Sequence, residues 1–585
     1  MNPYRLSSGE RREATSVIGA IRRLAPVMAD QRRSIIIAFA ATLVASGAST
    51  TAPWLIARTV DIHIRAGNYP GVLTSAALLL AVYVTGLIAT YVQTLQMGLV
   101  GRRVLFNLRN AIFTKLQELP LDFFNQNKAG DLISRINNDT DKLNVFFAQA
   151  LVQLAANLFL MGGAALLLLM LNPRLGAAAL APAVVVFLIT RATGSVVKAR
   201  NAASLQSLGA LSGEIQESMS NFRVIVAFNR VDYFQTQFKA ANDRNYAASV
   251  RAGVLNTFFI PLYGLAMNCA QVAVLGYGFY LITRGQFTVG LLIGFLLYVN
   301  SFYMPLRQLA AVWSSFQLAM ASFDRISDVL ALESNLQQLP PHEGVDNAVL
   351  AFEHVRFGYA KDRPVLRDAS FVLEHGKTYA LVGPTGGGKT TTASLMARLY
   401  DPDSGRVLLD GKDIRTFDAG ERARRIGFIL QEPFLFTGSI RDNIVYGHEG
   451  LRALNDEQLA AMLRAKNLDT LLARFDQGMA TRVTAGGEGI SLGQRQIIAF
   501  IRAVLREPEI LILDEATANI DTVTEQQLEQ ILNELPPTTT RVIIAHRLNT
   551  IENADEIFFI NGGELTRAGS MQDALDLLLH QHRAS

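Results

Sequence analysis

Cysteine is almost absent: the 585-residue chain has one, Cys269, which excludes an internal disulfide and any cysteine-based metal cluster. A lone cysteine inside an apolar run reads as a small packing residue. Charge is scarce too. Asp, Glu, Lys and Arg make up 18% of the residues, against roughly 25% in soluble proteins, while 50% are hydrophobic and mean hydropathy is +0.23. The formal net charge is only +4, and no basic stripe of the kind that holds nucleic acid is present. No cleavable signal peptide is evident, because the N-terminal stretch is polar, carries Arg11, Arg12, Arg22 and Arg23, and leads into an apolar run too long for a signal core.

What is present is unevenly distributed. The first half has long uncharged runs, and the second half has the composition of a soluble α/β protein. Six segments are apolar over the length of about 20 residues that crosses a hydrocarbon core of about 30 Å. They lie at approximately 34–57, 72–95, 148–171, 175–192, 255–282 and 288–311, with "AALLLLML" (Ala164 to Leu171) the clearest core. Their connections alternate short and long, which core helices of a soluble protein would not require. The short ones are "DIHIRAGNYP", "NPR" and "TRGQF". Arg32 and Arg33 flank the first run, and the long connections carry Arg102, Arg103, Arg109, Lys115, Lys198, Arg200 and Arg223. The positive-inside rule therefore places the long connections and both termini on the cytoplasmic side.

Both long connections are amphipathic at helical spacing, as in "NLRNAIFTKLQELPLDFF" and "LSGEIQESMSNFRVIVAF". They read as membrane helices that continue into the cytoplasm and meet in short turns. The paired prolines of "ESNLQQLPPHEGVDNA" break that periodicity and mark a linker. The expected organisation is a cytoplasmic segment at 1–30, an all-α transmembrane domain at 31–330, a linker at 331–349 and an α/β domain at 350–585. No internal repeat is visible. Few charges enter the membrane segments, so no acidic cluster for a metal ion or proton relay is visible there. Tyr263, Asn268, Gln271, Tyr280, Tyr298 and Asn300 either line a cavity or hold helices together.

The chemistry lies in the second half. "GPTGGGKT" comprises Gly383, Pro384, Thr385, Gly386, Gly387, Gly388, Lys389 and Thr390. It fits G-x-x-x-x-G-K-[ST], follows the strand-like "TYALVG" and opens the helical "TTTASLMARLY", which begins at Thr390 and continues with Thr391. Glycines let successive N–H groups point inward at phosphate oxygens, and the helix N-terminus adds partial positive charge. Lys389 then reaches the β- and γ-phosphates, and the Thr390 hydroxyl ligates Mg²⁺. "ILILDEAT" is a buried-strand run ending in Asp514, which can hold the magnesium through water, and Glu515, which can polarise the attacking water. "RVIIAHRL" ends a further strand at His546, a candidate γ-phosphate sensor if that strand end faces the same crevice.

In order, the phosphate loop, "ILQEPFLF", "ISLGQRQ", "LILDEATANID" and "IIAHRL" resemble the ATP-binding cassette of ABC transporters. With six membrane segments in front, nearly the whole chain is similar to a half-transporter of the exporter-fold class. The resemblance implies a P-loop ATPase domain with a helical subdomain, ATP and Mg²⁺ as cofactors, and a multi-pass protein of a bacterial cell membrane. It matches Tyr359 to the aromatic that stacks on adenine. It matches Gln431 to the glutamine that touches Mg²⁺ and water, and Asp521 to a loop between two cassettes. Ser491, Gly493 and Gln494 match a signature that closes in trans over the γ-phosphate held by a second cassette. Turns near Asn125 to Asp131 and near Met219 to Val224 match the elements that couple cassette closure to the membrane helices.

One departure bears on the partner. The family signature has glycine where this chain has Leu492, and "TRVTAGGEG" before it is irregular. An altered signature beside intact Glu515 and His546 resembles one subunit of a heterodimeric exporter, while single-residue variants also occur in homodimers. Either way, a second half-transporter is implied. Export of amphipathic compounds or lipids, import on the same scaffold, and an ATP-gated channel or regulator all remain open functions; the intact Glu515 argues against the last.

Overall fold

The computed structural model describes residues 4, 6, 29–334, 336, 339, 348–360, 363–487, 489–514, 522–544, 553–568, 572 and 573. The chain divides into two compact units. One is Ser7–Lys115 with Gly130–Ala331, and the other is Met1–Leu6, Leu116–Ala129 and Leu332–Ser585.

The first unit is helical. Its elements are α1 (Arg32–Arg58), α2 (Tyr69–Glu118, which runs three residues into the second unit), α4 (Leu151–Leu171), α5 (Pro173–Ser220), α6 (Phe222–Ala227), α7 (Val231–Thr283) and α8 (Val289–Leu330). The short α3 (Leu121–Gln126) belongs to the second unit. Among the described residues, six helical runs are long and apolar enough to cross a membrane. At a rise of 1.5 Å per residue, the 53 residues of α7 span about 80 Å, far more than a hydrocarbon core of about 30 Å. The long helices thus carry their own polar extensions, as the amphipathic connections predict.

Local chemistry sets the short connections. In "NPR", the Asn172 side chain accepts from Leu175 N at 3.1 Å and Pro173 takes the first helical position, so one tripeptide ends α4 and starts α5. Asp61 accepts from the Thr288 hydroxyl at 2.5 Å and from Gly290 N at 2.9 Å, which ties the end of the first run to the start of α8. Helices α4, α5, α7 and α8 share a core that includes Leu168, Leu175, Ala270, Val274 and Phe295. Tyr298 is fully buried there and donates to Thr50 O at 2.7 Å, so it holds helices together and does not line a cavity.

A charged knot joins 131–142 to the C-terminal part of α8. Asp139 is 1% exposed, accepts from Ser322 Oγ and Lys142 Nζ at 3.0 Å each, and faces Arg325 Nε at 3.2 Å. Arg325 also reaches Asp131 at 2.6 Å, and buried Arg135 bonds both Asp131 and the Arg325 carbonyl.

The second unit contains two larger sheets. Strands β1 (Leu350–Phe357), β2 (Leu366–Leu373), β4 (Ser404–Leu409) and β5 (Lys412–Asp413) form an antiparallel sheet in the order β2-β1-β4-β5. The other sheet has the order β12-β11-β3-β10-β9-β6. These are β12 (Glu564–Ala568), β11 (Glu556–Asn561), β3 (Thr378–Val382), β10 (Thr540–Ile544), β9 (Ile510–Asp514) and β6 (Ile426–Ile429). All neighbours are parallel except β11 and β12. "TYALV" and "ILILD" are buried throughout, as expected of parallel strands covered on both faces. A small antiparallel pair, β7 (Gly438–Ser439) with β8 (Arg482–Val483), brackets the helices of the intervening segment in the chain. Two cores result. One lies between the sheets and α9 (Lys389–Met396), and the other surrounds α10 (Asp456–Ala465) and α11 (Leu492–Val504). Helix α12 (Thr522–Asn533) completes the second.

Candidate active site

The parallel register builds the site. Leu381 of β3 pairs with Ile544 of β10, Ile544 with Asp514 of β9, and Leu513 of β9 with Ile429 of β6. The carboxyl ends of four strands therefore lie in one row, where ligands bind in open α/β sheets. The phosphate loop leaves β3 there, and Asp514 ends β9 there. Gln431 follows β6 by two residues and is exposed.

Close approach sets the loop. Gly383 has φ 146°, and a Cβ on it would come within 2.0 Å of the Ile560 carbonyl oxygen. Gly388, at φ 117°, is the N-cap of α9. A side chain at Gly383 would push the loop off the sheet edge, and one at Gly388 would strain the backbone. Thr385 and Gly386 form its exposed crown, and Gly386 has no neighbour within 4 Å of an added Cβ. Lys389 is 5% exposed, and its ammonium donates to Gly383 O at 2.8 Å and Pro384 O at 3.0 Å. Its charge is thereby held against the loop that α9 closes from behind. Such an arrangement, a lysine and a helix N-terminus behind a glycine loop, can cradle an anion.

Thr390 Oγ donates to Asp514 Oδ1 at 3.4 Å, and Asp514 is 1% exposed. One hydroxyl and one carboxylate at the foot of an anion cradle form the hard oxygen donor set that suits Mg²⁺, which keeps several waters and takes its remaining ligands from phosphate. Glu515, Asp521 and His546 lie outside the described residues.

Tyr359 is 43% exposed, and its hydroxyl is 3.1 Å from Thr391 Oγ. Tyr359, Phe357 and Tyr400 form a closed triangle with centroid separations of 5.1, 5.3 and 5.4 Å. Tyr400 carries no motif signal in the sequence.

Ser491, Gly493 and Gln494 sit elsewhere, at the start of α11. Ser491 Oγ accepts from Gln494 N at 3.2 Å, while Gln494 Oε1 accepts from Ser491 N at 3.0 Å. This is a reciprocal capping box, and the spacing S-x-x-Q would have revealed it. Leu492 is half-buried at the first helical position and Gly493 at the second. The cap uses the Ser491 oxygen as acceptor and leaves its hydroxyl proton available to an anion. One geometry thus starts the helix and presents a donor.

A family model described as ABC transporter transmembrane region matches residues 35–306, and one described as ABC transporter matches 366–518. An uncharacterized ABC transporter ATP-binding protein, YfiC, of Bacillus subtilis is 32% identical over 572 residues, covering 97% of this chain and 94% of that one. The fatty acid ABC transporter ATP-binding/permease protein of Mycobacterium tuberculosis is 34% identical over 508 residues, 87% of this chain and 80% of its own. A multidrug resistance ABC transporter ATP-binding and permease protein of Lactococcus lactis is 31% identical over 495 residues, covering 84% and 83%.

Proposed function

The chain belongs to the ABC transporter family, and from that membership we propose that it works as an ATP-driven exporter of amphipathic small molecules, drugs or lipids. The observation that carries the proposal is the anion cradle at the carboxyl edge of a parallel sheet, in a chain with six apolar helices. Relatives named for fatty acids and for multidrug resistance support amphipathic cargo. Thr390, Asp514 and Gln431 would hold Mg²⁺, which would supply charge neutralisation at the phosphates. Glu515 orients the attacking water and His546 contacts the γ-phosphate. Asp521 would serve communication between the two cassettes.

The site is completed by a partner half-transporter in the bilayer. Ser491, Gly493 and Gln494 of each cassette close over the nucleotide of the other. Leu492 in the signature favours a heterodimer. ATP drives closure because it bridges only the closed arrangement, and a ligand shifts an equilibrium only through such differential affinity.

Reconstitution tests this directly. Vesicles containing the chain and its partner, given dyes, drugs and labelled lipids, should move amphipathic cargo only with ATP and magnesium. Lys389→Ala should abolish movement and raise the nucleotide dissociation constant by roughly ten-fold or more, through lost charge-assisted phosphate contacts. Movement that persists in Lys389→Ala would refute the proposal.

A further inference from the structure

The apolar runs of the membrane helices hold no Asp or Glu, and their two charges are Arg191, at the end of the fourth run, and Arg307, inside the last. Arg307 follows Val289, the first residue of α8, at a distance of about 27 Å along the helix at 1.5 Å per residue. That is just within a hydrocarbon core of about 30 Å. Its neighbour Gln308 is engaged with α4, where Gln153 Nε2 donates to Gln308 Oε1 at 3.3 Å. Arg307 is exposed and, among the described residues, has no hydrogen bond and no ion-pair partner. It belongs to a stripe of α8: Asn300, Met304 and Arg307 recur at i, i+4 and i+7, and all three are exposed. Phe295, Tyr298 and Val299, on the other side of the helix, are buried in the shared core.

A charge inside a bilayer is expensive, and such residues face the bundle interior or a water-filled cavity and meet an opposite charge. No carboxylate in the apolar runs can be that charge, so Arg307 is left to a ligand. Its planar guanidinium matches a carboxylate or a phosphate in bidentate fashion. Asn300 adds an amide donor about 10 Å nearer the start of α8, and Met304 between them offers adaptable apolar contact. We propose that this stripe of α8 is the headgroup subsite for cargo, with Arg307 the residue that reads charge, so that the cargo is an amphipath with an acidic head and not an organic cation. The proposal names the substrate class for the export reading given above and rests on it.

The test uses three fluorescent probes that share one acyl tail and have a carboxylate, an alcohol or a primary amine as head. They are bound to the full-length chain, paired with its partner half-transporter in phosphatidylcholine nanodiscs. Binding should be about ten-fold tighter for the carboxylate than for the alcohol, as one charge-assisted hydrogen bond gives, and weakest for the amine. Arg307→Gln should bring the carboxylate probe to the affinity of the alcohol, and Arg307→Lys should keep most of the preference. Arg307→Glu should turn the preference toward the amine, a gain that a misfolded chain cannot give. The same ranking of probes in wild type and Arg307→Gln would overturn the proposal and leave Arg307 a contact for bilayer phosphates. Wild type that binds none of the probes, or favours the amine, would overturn it too. Head preference that depends on Arg307 in nanodiscs, together with vesicles that move no probe on adding ATP, would instead sink the export reading and leave the binding subsite standing.

Discussion

At the scale of single residues, the Ser491 side chain has two duties that one substitution confounds. Replacing a capping serine by alanine costs about 1 kcal/mol, but by glycine only a few tenths. Ser491→Ala and Ser491→Gly should both cut ATP turnover about ten-fold or more, by removing a donor to a phosphate oxygen. Only Ser491→Ala should lower the thermal midpoint of the soluble unit; full turnover in Ser491→Gly would reduce the residue to a cap. Asp413 gives a pH signature. Burial pushes its carboxyl up, but hydrogen bonds from the Arg415 side chain and amide outweigh this and hold it below the ordinary 3.8. The stability it contributes is complete above pH 3.8 and lost as pH falls through the lowered value. Acid unfolding of wild type should therefore steepen below that point, and Asp413→Asn should show a shallower dependence there. Much at this scale was legible beforehand: the glycines, Lys389 and Asp514 stand in a motif whose spacing is its mechanism. Tyr400 was not, because its contact with Asn125 joins residues 275 positions apart.

At the scale of elements, helices and buried strands follow from hydropathy, whereas the ties between them do not. Apolar runs foretold six membrane helices, and "NPR" announced its own turn through Asn172 and Pro173. The knot of Asp131, Arg135, Asp139, Ser322 and Arg325 had no sequence signal, since charged residues in amphipathic helices read as solvated faces until tertiary contact pairs them. Burial decides its weight. Arg325→Ala leaves the carboxylate of Asp139, 1% exposed, with Lys142 but without its guanidinium partner, and should cost about 1–3 kcal/mol. Arg441→Ala, which breaks a pair whose Asp456 is 78% exposed, should cost less than about 1 kcal/mol. Thermal unfolding in detergent checks the contrast, and equal midpoints for the two variants would contradict it. The second unit also draws in the N-terminus. Asn127 Nδ2 donates to Tyr4 O at 2.8 Å, Leu6 N donates to Asn127 Oδ1 at 3.1 Å, and Tyr4 Oη donates to Glu333 O at 3.0 Å. Composition alone offered no sign of that strap.

At the scale of the whole molecule, one chain supplies an anion cradle at one edge of its cassette and a capped donor helix, α11, at another. On the proposed reading these belong to different composite sites, each made of one cradle and one donor helix from two cassettes. The irregular signature around Leu492 was plain in the letters, but its meaning depends on a partner surface that no single chain contains. The most direct test is the ATPase rate of lipid nanodiscs holding one half-transporter, compared with discs holding the paired complex. Paired discs should turn over ATP, and single-chain discs should bind nucleotide without hydrolysing it. Hydrolysis by a solitary chain at the rate of the pair would contradict the account.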